Sequence, residues 1–169
     1  TGEMWLIALY AGLQPEVIYD ETIEQRGLDA YKVLLMPECE VLTGTVAQAV
    51  QAFQARGGIV VGDENLCPAI TPDILVETHN RSTRADEARA LNLEKARALR
   101  AQLDPHYTRY IDSSNPDVVP YVRNYASTDY LFAISDLREF GDYVGHHGLV
   151  MENGLPTEAT LTIARGGHV

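Results

Sequence analysis

Three short acidic segments hold the residues best suited to chemistry. They read Asp20-Glu21, Glu38-Cys39-Glu40 and Asp63-Glu64-Asn65. Each closes an apolar run (EVIYD, YKVLLMP, GIVVGD), so each falls where a buried parallel strand would end. In open parallel sheets, ligands bind outside the carboxyl ends of the strands. Asp20, Glu21, Glu38, Asp63, Glu64 and Asn65 are therefore the candidate ligand-binding edge. A divalent cation would need several of these oxygens to converge at about 2–2.6 Å. The plainer reading is a solvated rim, with acids near the positive ends of the following helices. The rim is preferred, because nothing in a sequence shows convergence, and no metal ligand is assigned.

Two cysteines lie beside this edge. Cys39 is flanked by Glu38 and Glu40, whose charges would raise the thiol pKa and suppress the thiolate. Cys67 comes four residues after Asp63 and precedes Pro68. Neither sits in a Gly-x-Cys-x-Gly elbow with an identifiable histidine partner, so no catalytic residue is assigned. His146 and His147, in GHHGL, would point to opposite faces of a strand and read instead as part of a glycine-rich loop. The acids offer no recognisable glycosidase pair. Tyr125, Tyr130 and Phe132 could stack on a sugar, but at strand spacing they read as core.

The elements that would position these residues follow from periodicity. Residues 3–13 put Met4, Trp5, Ala8, Leu9 and Leu13 on one helical face, and Pro15 stops that helix at Gln14. EVIYD (16–20) is expected as a strand, and YKVLLMP (31–37) is the clearest one. Thr43 or Thr45 caps a helix to about Arg56, with Val46, Val50 and Phe53 as its apolar stripe and Gly57-Gly58 as its stop. GIVVGD (58–63) is expected as a central strand. Residues 84–103 are strongly helix-forming, with a narrow seam of Leu93, Ala96, Leu99 and Leu103. DSSNPDVVP (112–120) reads as a linker. Residues 118–126 and 128–137 read as two strands paired antiparallel across a short break, and 158–165 as a half-buried strand. The expected organisation is an α/β unit over 1–112 and a β-rich unit over 113–169.

Charge narrows the partners. Residues 1–80 hold 12 acids and 3 bases, whereas residues 81–169 hold 12 acids and 10 bases. The net charge of −11 repels phosphate backbones and anionic lipid, which argues against nucleic acid and membrane as partners. No apolar run approaches the roughly 20 residues of a membrane span, and no leader peptide is visible. No glycine-rich phosphate cradle is present, so no nucleotide, flavin or other cofactor is expected. Two cysteines do not define a redox compartment. A start without methionine and an end at GGHV suggest a piece of a larger protein.

The order EVIYDE, LDAYKVLLMPECEVLT, helix, FQARGGIVVGDENL resembles the glutamine-amidotransferase-like (flavodoxin-like) domain of β-galactosidase-type glycoside hydrolases, often termed their trimerisation domain. The later block YVRNYASTDYLFAISDLREFGDY resembles the start of the β-domain that follows it. There, residues matching Arg123, Asp129, Tyr130, Leu131 and Phe132 open a small antiparallel sandwich. The resemblance covers 3–66 well and 118–165 moderately, and the helix near 84–103 looks like an insertion. It implies a parallel sheet flanked by helices, with the catalytic carboxylates on a preceding (β/α)8 barrel of the same parent chain. True amidotransferases keep a nucleophilic cysteine at the turn where this chain has Asp63 and Glu64, so no amidotransferase residue carries over. The expected function is a non-catalytic accessory or oligomerisation module, with the barrel and further copies as partners. The alternatives are a stand-alone amidotransferase-like or cysteine enzyme, and a flavodoxin-like module that binds a small ligand or metal at its acidic edge.

Overall fold

The computed structural model describes residues 2–78, 85–143 and 149–164. Among them the chain forms four helices and several small sheets, a broadly α/β fold as the periodicity indicates. It divides into two compact units. One runs over Glu16–Asn80, and the other joins Gly2–Pro15 to Arg81–Val169. This division differs from a boundary near residue 112: the first helix belongs with the C-terminal half.

The first unit is built on a three-stranded parallel sheet in the order β1 (Val33–Met36), β2 (Ile59–Gly62), β3 (Ile74–Leu75). The pairing runs Val33 opposite Ile59 through Met36 opposite Gly62, so both strands end on the same side. Strand β2 is central, as its uninterrupted apolar run requires. Between β1 and β2 lies α3 (Gly44–Ala55). Thr43 caps it, its side chain accepting the Val46 N–H at 3.2 Å. Val46, Val50 and Phe53 are buried and pack on Leu34, Met36 and Val60. Gly57 takes a left-handed φ of 88° past the helix end, a conformation that costs other residues energy.

EVIYD is not a strand. Val17 and Tyr19 are exposed, and only Ile18 packs against the core. A parallel strand needs both a ladder and cover; among the described residues this segment has no ladder, and its cover is limited to Ile18. The Tyr19 carbonyl instead accepts from Thr22 and Ile23 and starts α2 (Asp20–Arg26).

In the second unit, α1 (Gly2–Tyr10) packs against α4 (Ala85–Leu103). The buried side of α1 is Ile7, Ala8 and Tyr10, while Trp5 is exposed, so the expected face is rotated. Helix α4 buries Ala96, Leu99 and Leu103 as its seam predicts, and adds Asn92 where Leu93 was expected. The supposed linker at 112–120 is ordered β-structure. Strand β4 (Ile111–Ser113) pairs antiparallel with β9 (Leu161–Ile163), and the next strand already begins at Val118. Ser113, Asn115 and Asp117 bond to one another's backbone in the turn between, so the polar residues that suggested a linker form a tight turn. Strands β5 (Val118–Tyr125) and β6 (Thr128–Ser135) form the expected hairpin. Ala126 supplies a positive φ of 52° in its two-residue turn. Strands β7 (Arg138–Tyr143) and β8 (Leu149–Gly154) form another antiparallel pair. His146 and His147 of the GHHGL motif lie outside the described residues.

Gly58 has no room for a side chain. A Cβ there would lie 2.4 Å from the ring of Phe53, which is buried and held by the core. Gly58→Ala is expected to cost about 1–3 kcal/mol in urea denaturation, the range for overpacking. Unchanged stability would contradict this account of the helix–strand junction.

Candidate functional site

The carboxyl ends of β1 and β2 bring together part of the predicted edge. Asp63 is 3% exposed and stands at the end of β2. Its Oδ2 accepts the Glu38 N–H at 2.8 Å, and its Oδ1 accepts the Asn65 N–H at 3.1 Å. One carboxylate therefore ties the turn after β1 to the turn after β2. Glu38 needs that tie, because its φ is 53°, a left-handed conformation disfavoured for any residue with a Cβ. A second strut lies close by, where the Cys67 N–H donates to the Cys39 carbonyl at 2.8 Å.

The other candidates have different surroundings. Asp20 and Glu21 occupy the exposed first turn of α2, where the helix dipole favours acids. They do not follow a strand. Glu38, Glu64 and Asn65 are exposed. Glu64 and Asn65 both reach Thr78, Glu64 accepting its N–H at 3.0 Å and Asn65 donating to its Oγ1 at 3.2 Å. Among the described residues, no three His, Cys, Asp or Glu side chains are grouped to hold a metal. The edge has one buried acid, used as a brace, and a set of solvated neighbours.

Cys39 is half-buried, and its thiol pKa is raised. Burial is the main cause, followed by the negative charges of Asp63 and Asp20. The direction matches the expectation from sequence, but the causes are burial and distant acids, not the flanking Glu38 and Glu40. The thiol lies 3.6 Å from the Pro37 carbonyl, an acceptor that favours the protonated form. This environment suppresses a nucleophilic thiolate.

The second unit contains a polar cluster that sequence reading missed. Arg100 forms a two-pronged ion pair with Asp112, with Nη1 to Oδ1 at 2.8 Å and Nη2 to Oδ2 as the second prong. Its Nε lies 3.5 Å from Asp104. Arg109 is buried, pairs with Asp104 through Nη1, and donates from Nε to the Ala11 carbonyl at 2.8 Å. Gly12, at φ 73°, lets Arg109 approach; a Cβ there would sit 3.1 Å from its Cδ and Nε. Arg100 and Asp112 are 12 positions apart and lie on a helix and a strand, so no local spacing rule joins them.

The aromatic residues read as core are exposed. Tyr125 is 76% exposed, Tyr130 50% and Phe132 48%. In the β5–β6 register, Tyr121 faces Phe132, Arg123 faces Tyr130 and Tyr125 faces Thr128. Directly paired residues share a face, so these aromatics form one uncovered surface, with Arg123 stacked 4.8 Å from the Tyr121 ring centroid. The strand spacing was read correctly, but cover from a second layer is absent among the described residues.

Comparison with protein-family models, curated proteins and solved structures finds no match to this chain.

Two outcomes follow from these environments. In a Cys67→Ser background, alkylation of Cys39 by iodoacetamide should accelerate only at a pH above the ordinary thiol range. Asp63→Asn should move that profile down without abolishing the shift, since burial remains; a profile unmoved by Asp63→Asn would exclude the assigned electrostatic cause. The Asp112 carboxyl is held below its ordinary value, chiefly by its hydrogen bond to Arg100. Its stabilising contribution is therefore complete above the unfolded value of about 4 and is lost as pH falls through the depressed folded value. Both partners are partly exposed, so Asp112→Asn should cost no more than about 1 kcal/mol at neutral pH. The gap to the parent protein should close in acid denaturation curves.

Proposed function

We propose that this chain is a non-catalytic accessory module of a carbohydrate-active enzyme. In this reading, a flavodoxin-like, glutamine-amidotransferase-like α/β unit is followed by the opening strands of a β-sandwich. The observation that carries the reading is the condition of Asp63. At the turn where true glutamine amidotransferases hold a nucleophile, this chain has a buried carboxylate with both oxygens engaged by backbone N–H groups. Cys39, the nearest alternative, has a raised pKa in a half-buried setting. The parallel order β1-β2-β3, with α3 crossing between β1 and β2, is compatible with a small flavodoxin-like sheet.

The uncovered aromatic face of β5–β6 supports a role in assembly. A two-stranded hairpin is marginal by itself, and contiguous exposed apolar surface marks an interaction site. Its natural cover in this reading is the rest of the parent enzyme, whose catalytic barrel does the chemistry, or a further copy of the module.

The purified chain should not hydrolyse aryl β-glycosides, and it should be indifferent to a Cys39→Ser, Cys67→Ser double substitution. Robust turnover that the double variant abolishes would replace this reading with a cysteine enzyme. Turnover that it leaves intact would refute the non-catalytic assignment. The coding sequence upstream of Thr1 should carry an eightfold alternation of strands and helices.

A further inference from the structure

A cleft of about 430 Å³ opens within the second unit, in the size range of small-molecule sites. Helix α4 forms one wall with Leu93, Arg97 and Arg100, at spacings of four and three that share a helix face. Strands β4 and β9 form the opposite wall. Thr162 pairs across the ladder with Asp112, so both side chains project to the same side. Ser114 and Thr160 continue this wall. The Ser114 Oγ accepts the Thr160 N–H at 2.9 Å, which leaves its own O–H able to donate. Pro116 and Pro120 add rigid apolar surface to the lining.

The charges here differ from the rest of the molecule. Arg97, Arg100 and Arg109 lie on or just behind the lining, against the carboxylates of Asp104 and Asp112. The balance is positive in a chain whose net charge is −11. Asp112 fixes the Arg100 guanidinium by a two-pronged contact. Arg97 is exposed and forms no ion pair or hydrogen bond among the described residues. The cleft thus combines a cation held in place, a cation available for a partner, and hydroxyl donors facing them.

We infer that this cleft binds a small oxyanion carried on a hydroxylated body, the chemistry shared by sugar acids and sugar phosphates. Arg97 takes the anionic group as a planar fork donor, Arg100 presents its remaining N–H groups, and Thr162, Thr160 and Ser114 meet the hydroxyls. Asp112 acts as a positioning residue through Arg100. The inference stands apart from the role proposed for the whole chain, since binding here requires neither a parent barrel nor an assembly.

Isothermal titration of the full chain with glucuronate, glucose 6-phosphate, inorganic phosphate and neutral glucose tests it. At least one of the two charged sugars should bind, more tightly than glucose and more weakly as salt rises. Preference between them identifies carboxylate or phosphate as the anion, and weak binding of phosphate alone shows that the hydroxylated body contributes. Arg97→Ala should weaken binding by about tenfold or more, with Arg97→Lys retaining part of it. Thr162→Val should weaken the charged sugars more than inorganic phosphate. Arg97 is exposed, so its variants should keep the parental unfolding curve. No binding of either charged sugar, equal binding of glucose, or binding indifferent to Arg97→Ala would each overturn the proposal.

Discussion

The first unit depends on a single buried carboxylate. Removing a charged group from water is costly unless its oxygens are satisfied, and Asp63 meets that condition with two backbone N–H groups on different turns. The alignment of the β1 and β2 ends follows from it. So does the left-handed conformation of Glu38, which brings Cys39 to where its carbonyl receives the Cys67 N–H. The same charge bears on the Cys39 thiol and opposes its ionisation. A group that braces the sheet edge in this way is not available to a substrate, so the mechanical and chemical character of the edge have one cause.

The two units handle charge differently. In the second, Arg89 pairs with Asp117, Arg100 with Asp112, Arg109 with Asp104 and Arg138 with Asp136. In the first, Arg56 pairs with Asp29, and most acids are solvent-exposed. The uneven distribution of acids and bases along the sequence thus corresponds to two kinds of surface. One repels anions broadly, and the other cancels its charges locally and leaves a small positive recess.

What could be read from the sequence was what is decided locally. Strand β1, the Thr43 cap, the stripe of Val46, Val50 and Phe53, the glycine stop and the β5–β6 hairpin all follow from residues within a few positions of one another. The errors fall where distant cover decides. EVIYD has a strand's composition but no neighbour to pair with, and 112–120 has a linker's composition but a strand 50 residues later to pair with, Asp112 lying opposite Thr162. Tyr125, Tyr130 and Phe132 have core spacing but stay largely exposed among the described residues. Of the six edge residues, Asp63 alone has a buried role, and the Arg100–Asp112 pair is not legible in the sequence because only the tertiary fold joins it.

The joining of α1 to the C-terminal half has a consequence for biosynthesis. The residues of the α/β unit are contiguous, so that unit can fold as it leaves the ribosome. Helix α1 emerges earlier, yet the helix it packs against, α4, is made only after the whole α/β unit. Until then Ile7, Ala8 and Tyr10 lack their native cover. A helix made before the α/β unit thus finds its place only after it, and during that interval it is a natural site for chaperone binding.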